Sequence, residues 1–208
     1  MNIRTAFFGS VAAVSMMAAA SVVSAGVIDF TAASTGTSGT VDGVAWTMTG
    51  KPVQGNNKQA FDGSMIPANS FGLAFNTDGY GVRDDEIGPR ESITITFAKA
   101  VRITGFAFLD LYESIMNPGT GEVGEITING MVYDTAFTGN ASGYSESIFG
   151  KPVLVTSVKF TSVSSNDDRG VLDGALAALA IAPIPVPAAG LMLLTALGGV
   201  AALRRRKA

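Results

Sequence analysis

A glycine-rich segment at residues 76–88 gathers the densest set of polar side chains in the chain, with carboxylates at Asp78, Asp84, Asp85 and Glu86. Such a loop could bind calcium, which takes about six to eight oxygen ligands, including backbone carbonyls. The spacing does not fit an EF-hand, because Ile87 stands where the bidentate glutamate would be. A calcium site and a solvated hairpin loop are both open interpretations, and we favour the loop.

Two further acidic residues, Asp110 and Asp173, stand at the ends of predicted strands. In a jelly roll, strand ends that are distant in sequence meet at one rim, so either residue could complete a calcium site with the Asp84 loop. Polar loop ends are the simpler interpretation, which we favour for each. Paired carboxylates also raise the possibility of a glycoside hydrolase, but no residue is marked as a buried acid with a raised pKa.

The elements that must position these residues are short strands. Residues 92–97 alternate, with Ile93, Ile95 and Phe97 on one face. Asn129-Gly130 is typical of a two-residue hairpin turn. The predicted strands are Val27–Phe30, Val44–Thr49, Phe71–Phe75, Ser92–Phe97, Val101–Leu109, Gly124–Ile128, Met131–Phe137, Ser145–Phe149, Val153–Phe160 and, although alanine and leucine favour helix, Gly174–Ile181. This pattern predicts an all-β fold, an antiparallel β-sandwich of the jelly-roll type.

Composition excludes several classes of function. Residues 26–183 carry 17 acidic and 9 basic side chains, a net charge of −8, which argues against binding to nucleic acid or anionic lipid. The chain has no cysteine, so the fold depends on its core alone. It also has no histidine, which removes the common catalytic triads and the usual zinc sites.

The N-terminal residues 1–25 have the pattern of a secretory signal peptide. Arg4 gives a minimal positive region, and residues 6–20 are apolar except for two serines. Val23 and Ala25 are the small residues that a signal peptidase reads, which predicts cleavage before Gly26. An uncleaved anchor is the alternative.

The C-terminal residues 184–208 have the pattern of a membrane anchor. Residues 188–203 are uncharged and as a helix would span about 24 Å, slightly less than the bilayer core. Pro183, Pro185 and Pro187 predict that the helix begins after the last of them. Four basic residues, Arg204, Arg205, Arg206 and Lys207, place the C-terminus in the cytoplasm and the preceding domain outside it.

The run Ile184, Pro185, Val186, Pro187 and Ala188, followed by the apolar segment and the basic end, resembles the VPLPA-CTERM variant of PEP-CTERM sorting signals. This resemblance covers about an eighth of the chain. It implies a Gram-negative bacterium whose exosortase, a membrane-embedded protease, cuts near these residues and delivers the protein to the cell surface or exopolysaccharide matrix. Residues 79–87 and 91–97 also resemble a loop and strand that recur in PEP-CTERM ectodomains.

We therefore expect a non-catalytic exported protein of the surface or matrix. Its partners would be signal peptidase, the exosortase and extracellular polysaccharide, with no nucleic acid and transient residence in the inner membrane. The alternatives are a carbohydrate-binding module, which predicts Tyr80 or Tyr112 exposed near the acidic loop, and a small glycan hydrolase. The only tryptophan, Trp46, is expected in the core.

Overall fold

The computed structural model describes residues 26–53, 58–61, 63, 65–114, 120–137, 143–164 and 174–182. Within these residues the protein is all-β and antiparallel, as the sequence predicts. The strands are β1 (Gly26–Asp29), β2 (Ser38–Val41), β3 (Val44–Lys51), β4 (Ser92–Leu109), β5 (Glu122–Ile128), β6 (Met131–Phe137), β7 (Ser145–Ser164) and β8 (Ala175–Ala182).

The strands form one sheet in the order β1-β8-β4-β7-β5-β6, and the β2–β3 hairpin joins it at β4. The long strand β4 has different neighbours along one edge. Its first part pairs with β3, from Ser92 to Phe97, and its second part pairs with β8, from Arg102 to Leu109. On the other edge β4 pairs with β7 from Ile93 to Phe108, with two irregularities.

Two tight turns explain two of the hairpins. Asn129 and Gly130 have φ values of 53° and 80° between β5 and β6, which confirms the turn predicted for this pair. Asp42 and Gly43 have φ values of 49° and 73° between β2 and β3. The sequence analysis missed β2, because its four residues Ser-Gly-Thr-Val have no apolar alternation.

Two long strands of the structure, β4 and β7, were each predicted as two separate strands. Residues 92–97 and 101–109 belong to one strand, so the break predicted between them is wrong. The pairing of β4 with β7 is irregular between Thr96 and Val101, so the segment that looks like a turn is absorbed as a bulge. Pro152 likewise lies within β7, in the unpaired stretch between Ile148 and Val153, where its missing N–H is not needed.

The predicted strand Phe71–Phe75 is wrong. This segment takes its hydrogen bonds from side chains instead: Leu73 N–H donates to Asn69 Oδ1, and Phe75 N–H donates to Thr31 Oγ1. Phe75 also has a φ of 47°, which a strand does not allow. Leu73 and Phe75 are buried in the core, and this burial accounts for the apolar residues that suggested a strand.

The alanine-rich segment 174–181 is a strand, as predicted. β8 lies between β1 and β4, and residues 175–181 are all buried. Its small side chains suit a strand covered on both faces. The main core lies on one face of the sheet. There the rings of Phe106 and Phe108 contact Phe160 at centroid distances of 6.0 and 6.1 Å. Trp46 is in this core, 4% exposed and edge-on to Phe30, which confirms its predicted place.

The predicted signal peptide, the sorting tail with its membrane helix 188–203, and Asp173 lie outside the described residues. Within the described part of the chain, no helix has the length and apolar character needed to cross a bilayer.

Candidate functional site

The acidic loop is fixed to the free edge of β8 beyond the end of β1. Tyr80 and Leu176 exchange two backbone hydrogen bonds, of 3.0 and 2.9 Å, and Ile87 N–H donates to the Gly174 oxygen at 2.8 Å. The loop therefore continues the sheet edge where β1 ends. It lies directly beside Gly174, the described neighbour of Asp173.

Glycines allow this close approach. Gly79 has a φ of 105°, and a Cβ there would lie 2.5 Å from the Leu176 carbonyl oxygen. A Cβ at Gly81 would overlap the backbone of Asp85 and Glu86, because the loop folds back so that Val82 N–H donates to the Glu86 oxygen at 2.6 Å. The glycine-rich composition that suggested a ligand loop thus serves a tight backbone turn.

The carboxylates of the loop do not converge. Asp84 Oδ1 accepts from Glu86 N–H at 3.3 Å, and Asp85 Oδ1 accepts from Gln59 Nε2 at 3.0 Å. Asp78 is buried, 3% exposed, while Asp84 is exposed. Among the described residues, no group of three or more acidic side chains is placed to hold a metal ion. Asp173, a further candidate ligand, lies outside the described residues, so the calcium site and the hairpin loop both stay predictions.

Asp110 lies on the other side of β8 from the loop. Leu109, the residue before it, pairs with Ala175 on the β4 edge, whereas Tyr80 and Ile87 bind the opposite edge. Neighbouring strands are about 4.8 Å apart, so the two backbones flanking β8 are separated by about 10 Å. Asp110 directly follows the last residue of β4 and has a φ of 59°.

Tyr80 is buried and does not offer a ring to a sugar. It is 4% exposed, its ring is edge-on to Phe30, and its hydroxyl donates to the Thr35 oxygen at 3.0 Å. Burial raises the pKa of its hydroxyl. Tyr112, by contrast, is 38% exposed.

Lys58 is a residue that the sequence analysis missed. Its ammonium donates to the backbone oxygens of Ala32 and Thr35, both at 2.8 Å, and lies 4.5 Å from the centre of the Tyr80 ring. Burial lowers the pKa of Lys58 to about 8, against the opposing effect of the Asp29 carboxylate. Lys58 and Tyr80 thus hold the turn after β1. In the sequence, a single lysine in a polar segment does not indicate that its side chain binds a turn.

Asp29 anchors the same turn. Its Oδ1 accepts from Thr31 N–H at 2.8 Å, from Thr31 Oγ1 at 2.6 Å and from Ala32 N–H at 3.2 Å. The Thr31 carbonyl oxygen in turn accepts from the N–H groups of Asn76 and Thr77. The end of β1 and the segment before the acidic loop therefore form one polar network.

A second polar cluster surrounds Glu146 at the start of β7. Its carboxylate accepts from Ser70 Oγ at 2.5 Å, from Ser70 N–H at 2.9 Å and from the Tyr144 hydroxyl at 2.5 Å. Burial opposes ionisation of Glu146, but these hydrogen bonds hold its pKa below the usual value. Burial, together with the Glu146 carboxylate, raises the pKa of Tyr144. The cluster joins the 65–75 segment to β7.

Comparison with known proteins adds no family: no family model, curated protein or solved structure matches the chain. The basis for a function is therefore the chemistry of the chain itself. Among the described carboxylates, those of Asp29, Asp84, Asp85 and Glu146 accept hydrogen bonds from loop segments.

Proposed function

We propose that the protein is a non-catalytic exported protein of the cell surface or exopolysaccharide matrix. A signal peptide over residues 1–25 would start its export, and an exosortase-type protease would process its tail at residues 184–188. The protein would be held in the inner membrane by residues 188–203 until that cut. The observation that carries the proposal is the order of the tail: a proline motif, then sixteen uncharged residues, then Arg204 to Lys207.

Between the two proposed processing segments, the described residues form the antiparallel all-β fold. We further propose that the sheet is a jelly-roll-like sandwich. The bulge between Thr96 and Val101 bends β4, and the aromatic contacts of Phe160 with Phe106 and Phe108 support a core between two layers.

The test is processing of a tail variant in a Gram-negative host that carries an exosortase. Replacing Pro185 and Pro187 with alanine is expected to block the cut, so that full-length precursor accumulates in the inner membrane. Pro183→Ala, just outside the motif, is the matched control and is expected to be processed normally. Normal surface delivery of the double variant would overturn the proposal.

Carbohydrate binding is the second candidate, and one groove favours it. The groove, of about 280 Å³, lies between β1 and β2, and hydroxyl side chains line it together with Trp46. Those hydroxyl residues are Ser34, Thr35, Ser38 and Thr40. Trp46 is the only tryptophan and lines this groove with a ring that is otherwise buried in the core, so its fluorescence reports on the groove and on the packing behind it. Soluble polysaccharide is expected to change that emission if the groove binds sugar, and a Thr40→Val variant should weaken the effect.

A further inference from the structure

The first residue of β1 lies against the turn between β2 and β3. Gly26 pairs with Ile181 of β8 on one side. On the other side, a Cβ added to Gly26 would lie 2.7 Å from both Asp42 Oδ2 and Val41 Cγ2. No side chain therefore separates the Gly26 backbone from the Asp42 carboxylate. The Gly26 nitrogen is bonded to the same Cα, so it lies within about 5 Å of that carboxylate.

Few other charges surround this contact. β2 and β8 contain no ionisable side chain. On β1, Asp29 is engaged with Thr31 and Ala74, and on β4 the nearest cation is Arg102, which pairs with Ala182 one strand further away. Within the described part of the chain, the salt bridge between Arg83 and Glu91 does not involve Asp42, and no cation is recorded as a partner of Asp42 there.

We propose that removal of the signal peptide creates an α-ammonium group on Gly26 that pairs with the Asp42 carboxylate and fastens β1 to the β2–β3 hairpin. The inference rests on the proposed function, because it requires the cut between Ala25 and Gly26. Water cleaves that peptide bond, leaving its hydroxyl on the Ala25 carbonyl carbon and its hydrogen on the Gly26 nitrogen. The new amine then takes up a proton at neutral pH.

The precursor cannot make this pair, since its Gly26 nitrogen is a neutral amide. Opposite charges within about 4–6 Å of each other favour their charged forms. Glycine at the first mature position also has a physical reason, because any side chain would meet Val41 and Asp42. Processing would thus add an interaction to the sheet at the place where the chain is cut.

A cycle of four proteins tests the pair. The full chain is exported from a Gram-negative host as wild type, as Asp42→Asn, with two serines inserted between Ala25 and Gly26, and with both changes. Asparagine suits the left-handed backbone of residue 42, where φ is 49°, so the turn itself should not suffer. Mass spectrometry identifies the first residue of each product before melting temperatures are measured.

In protein that begins at Gly26, Asp42→Asn is expected to lower the melting temperature by about 2 °C, the size of an exposed ion pair in a chain of this length. In the serine-extended protein, whose ammonium is displaced, the same substitution should have no effect. About 1 M salt should remove the difference.

An equal effect of Asp42→Asn in both backgrounds, or no effect in either, would overturn the inference and leave the export proposal standing. A wild-type product whose first residue is not Gly26 would overturn the inference together with the predicted cut between Ala25 and Gly26.

Discussion

The Asp29 carboxylate accepts a hydrogen bond from the backbone N–H of Ala74 at 2.8 Å, across 45 residues of sequence. Its other oxygen accepts three hydrogen bonds from Thr31 and Ala32. One side chain at the end of β1 therefore fixes both the turn that follows it and the irregular segment that leads to the acidic loop. This segment has no strand pairing of its own in residues 65–76.

Asp29→Asn should destabilise the protein. The amide has one acceptor oxygen, and its NH₂ would face either the Thr31 donors or the Ala74 N–H. Leaving one such donor without an acceptor costs about 1–3 kcal/mol. Urea unfolding of the two proteins measures this loss. Asp85→Asn is the control, because Asp85 accepts only the exposed Gln59 amide at its Oδ1 and should change the free energy of unfolding by less than about 0.5 kcal/mol.

The lowered pKa of Lys58 predicts that the free energy of unfolding rises with pH in the alkaline range. Its pKa is about 8 in the folded protein, against 10.5 as the ordinary value. Between these values the unfolded state binds more protons than the folded state, so the free energy of unfolding increases with pH from about 8 to 10.5 and levels off below pH 8. Urea titrations at about pH 7.5 and 9.5 should show this increase.

The matched variants isolate the contribution of Lys58. Lys58→Met should lack this part of the increase, whereas Lys159→Met, at an exposed position on β7, should retain it. An identical pH dependence in wild type and Lys58→Met would show that the burial of Lys58 does not govern its proton affinity.

Gly81→Ala should be strongly destabilising, because the new methyl group would overlap the backbone of Asp85 and Glu86. Backbone cannot move aside as a flexible side chain can, so we expect a loss of about 3 kcal/mol or more. Gly150→Ala in β7 is the control, since nothing lies within 4 Å of its added Cβ. Thermal unfolding compares the two. Similar melting temperatures would mean that the acidic loop is not folded as described.

Calcium should leave the melting temperature unchanged. Asp84 and Asp85 accept hydrogen bonds from Glu86 and Gln59, and these carboxylates do not converge with others in the described chain. A ligand that binds only the native state must stabilise it, so about 10 mM calcium would raise the melting temperature of a calcium protein. A rise that is lost on replacing Asp84 and Asp85 with asparagine would restore the calcium interpretation.

Local patterns predicted much of the fold. Met131–Phe137 is the strand β6 to the residue, because its hairpin turn and flanking sequence define it. The last strand was also predictable, since a short run ahead of Pro183 cannot extend as a helix. The two long strands were not. Their bulges at residues 96–101 and 148–153 have the composition of turns, and only pairing with a neighbouring strand keeps the chain extended there.

The candidate site was less predictable, since sequence reveals which residues are acidic but not what their oxygens accept. Asp29 and Glu146 each have one hydrogen-bond partner far away in the chain, Ala74 at 45 residues and Ser70 at 76. Tyr80 was expected as a candidate for the surface and is buried, because Lys58 and Thr35 provide partners for its ring and hydroxyl. These contacts follow from tertiary packing.

The pairing of β1 with β8 joins the first strand of the described chain to the last. In the described structure β1 forms a backbone ladder with β8 alone, and β8 lies between β1 and β4. A nascent polypeptide that has emerged only as far as β7 still lacks the strand that closes its sheet. Synthesis must therefore reach residue 182 before the earliest strand can dock, which makes final assembly a late and non-local event in the life of the molecule.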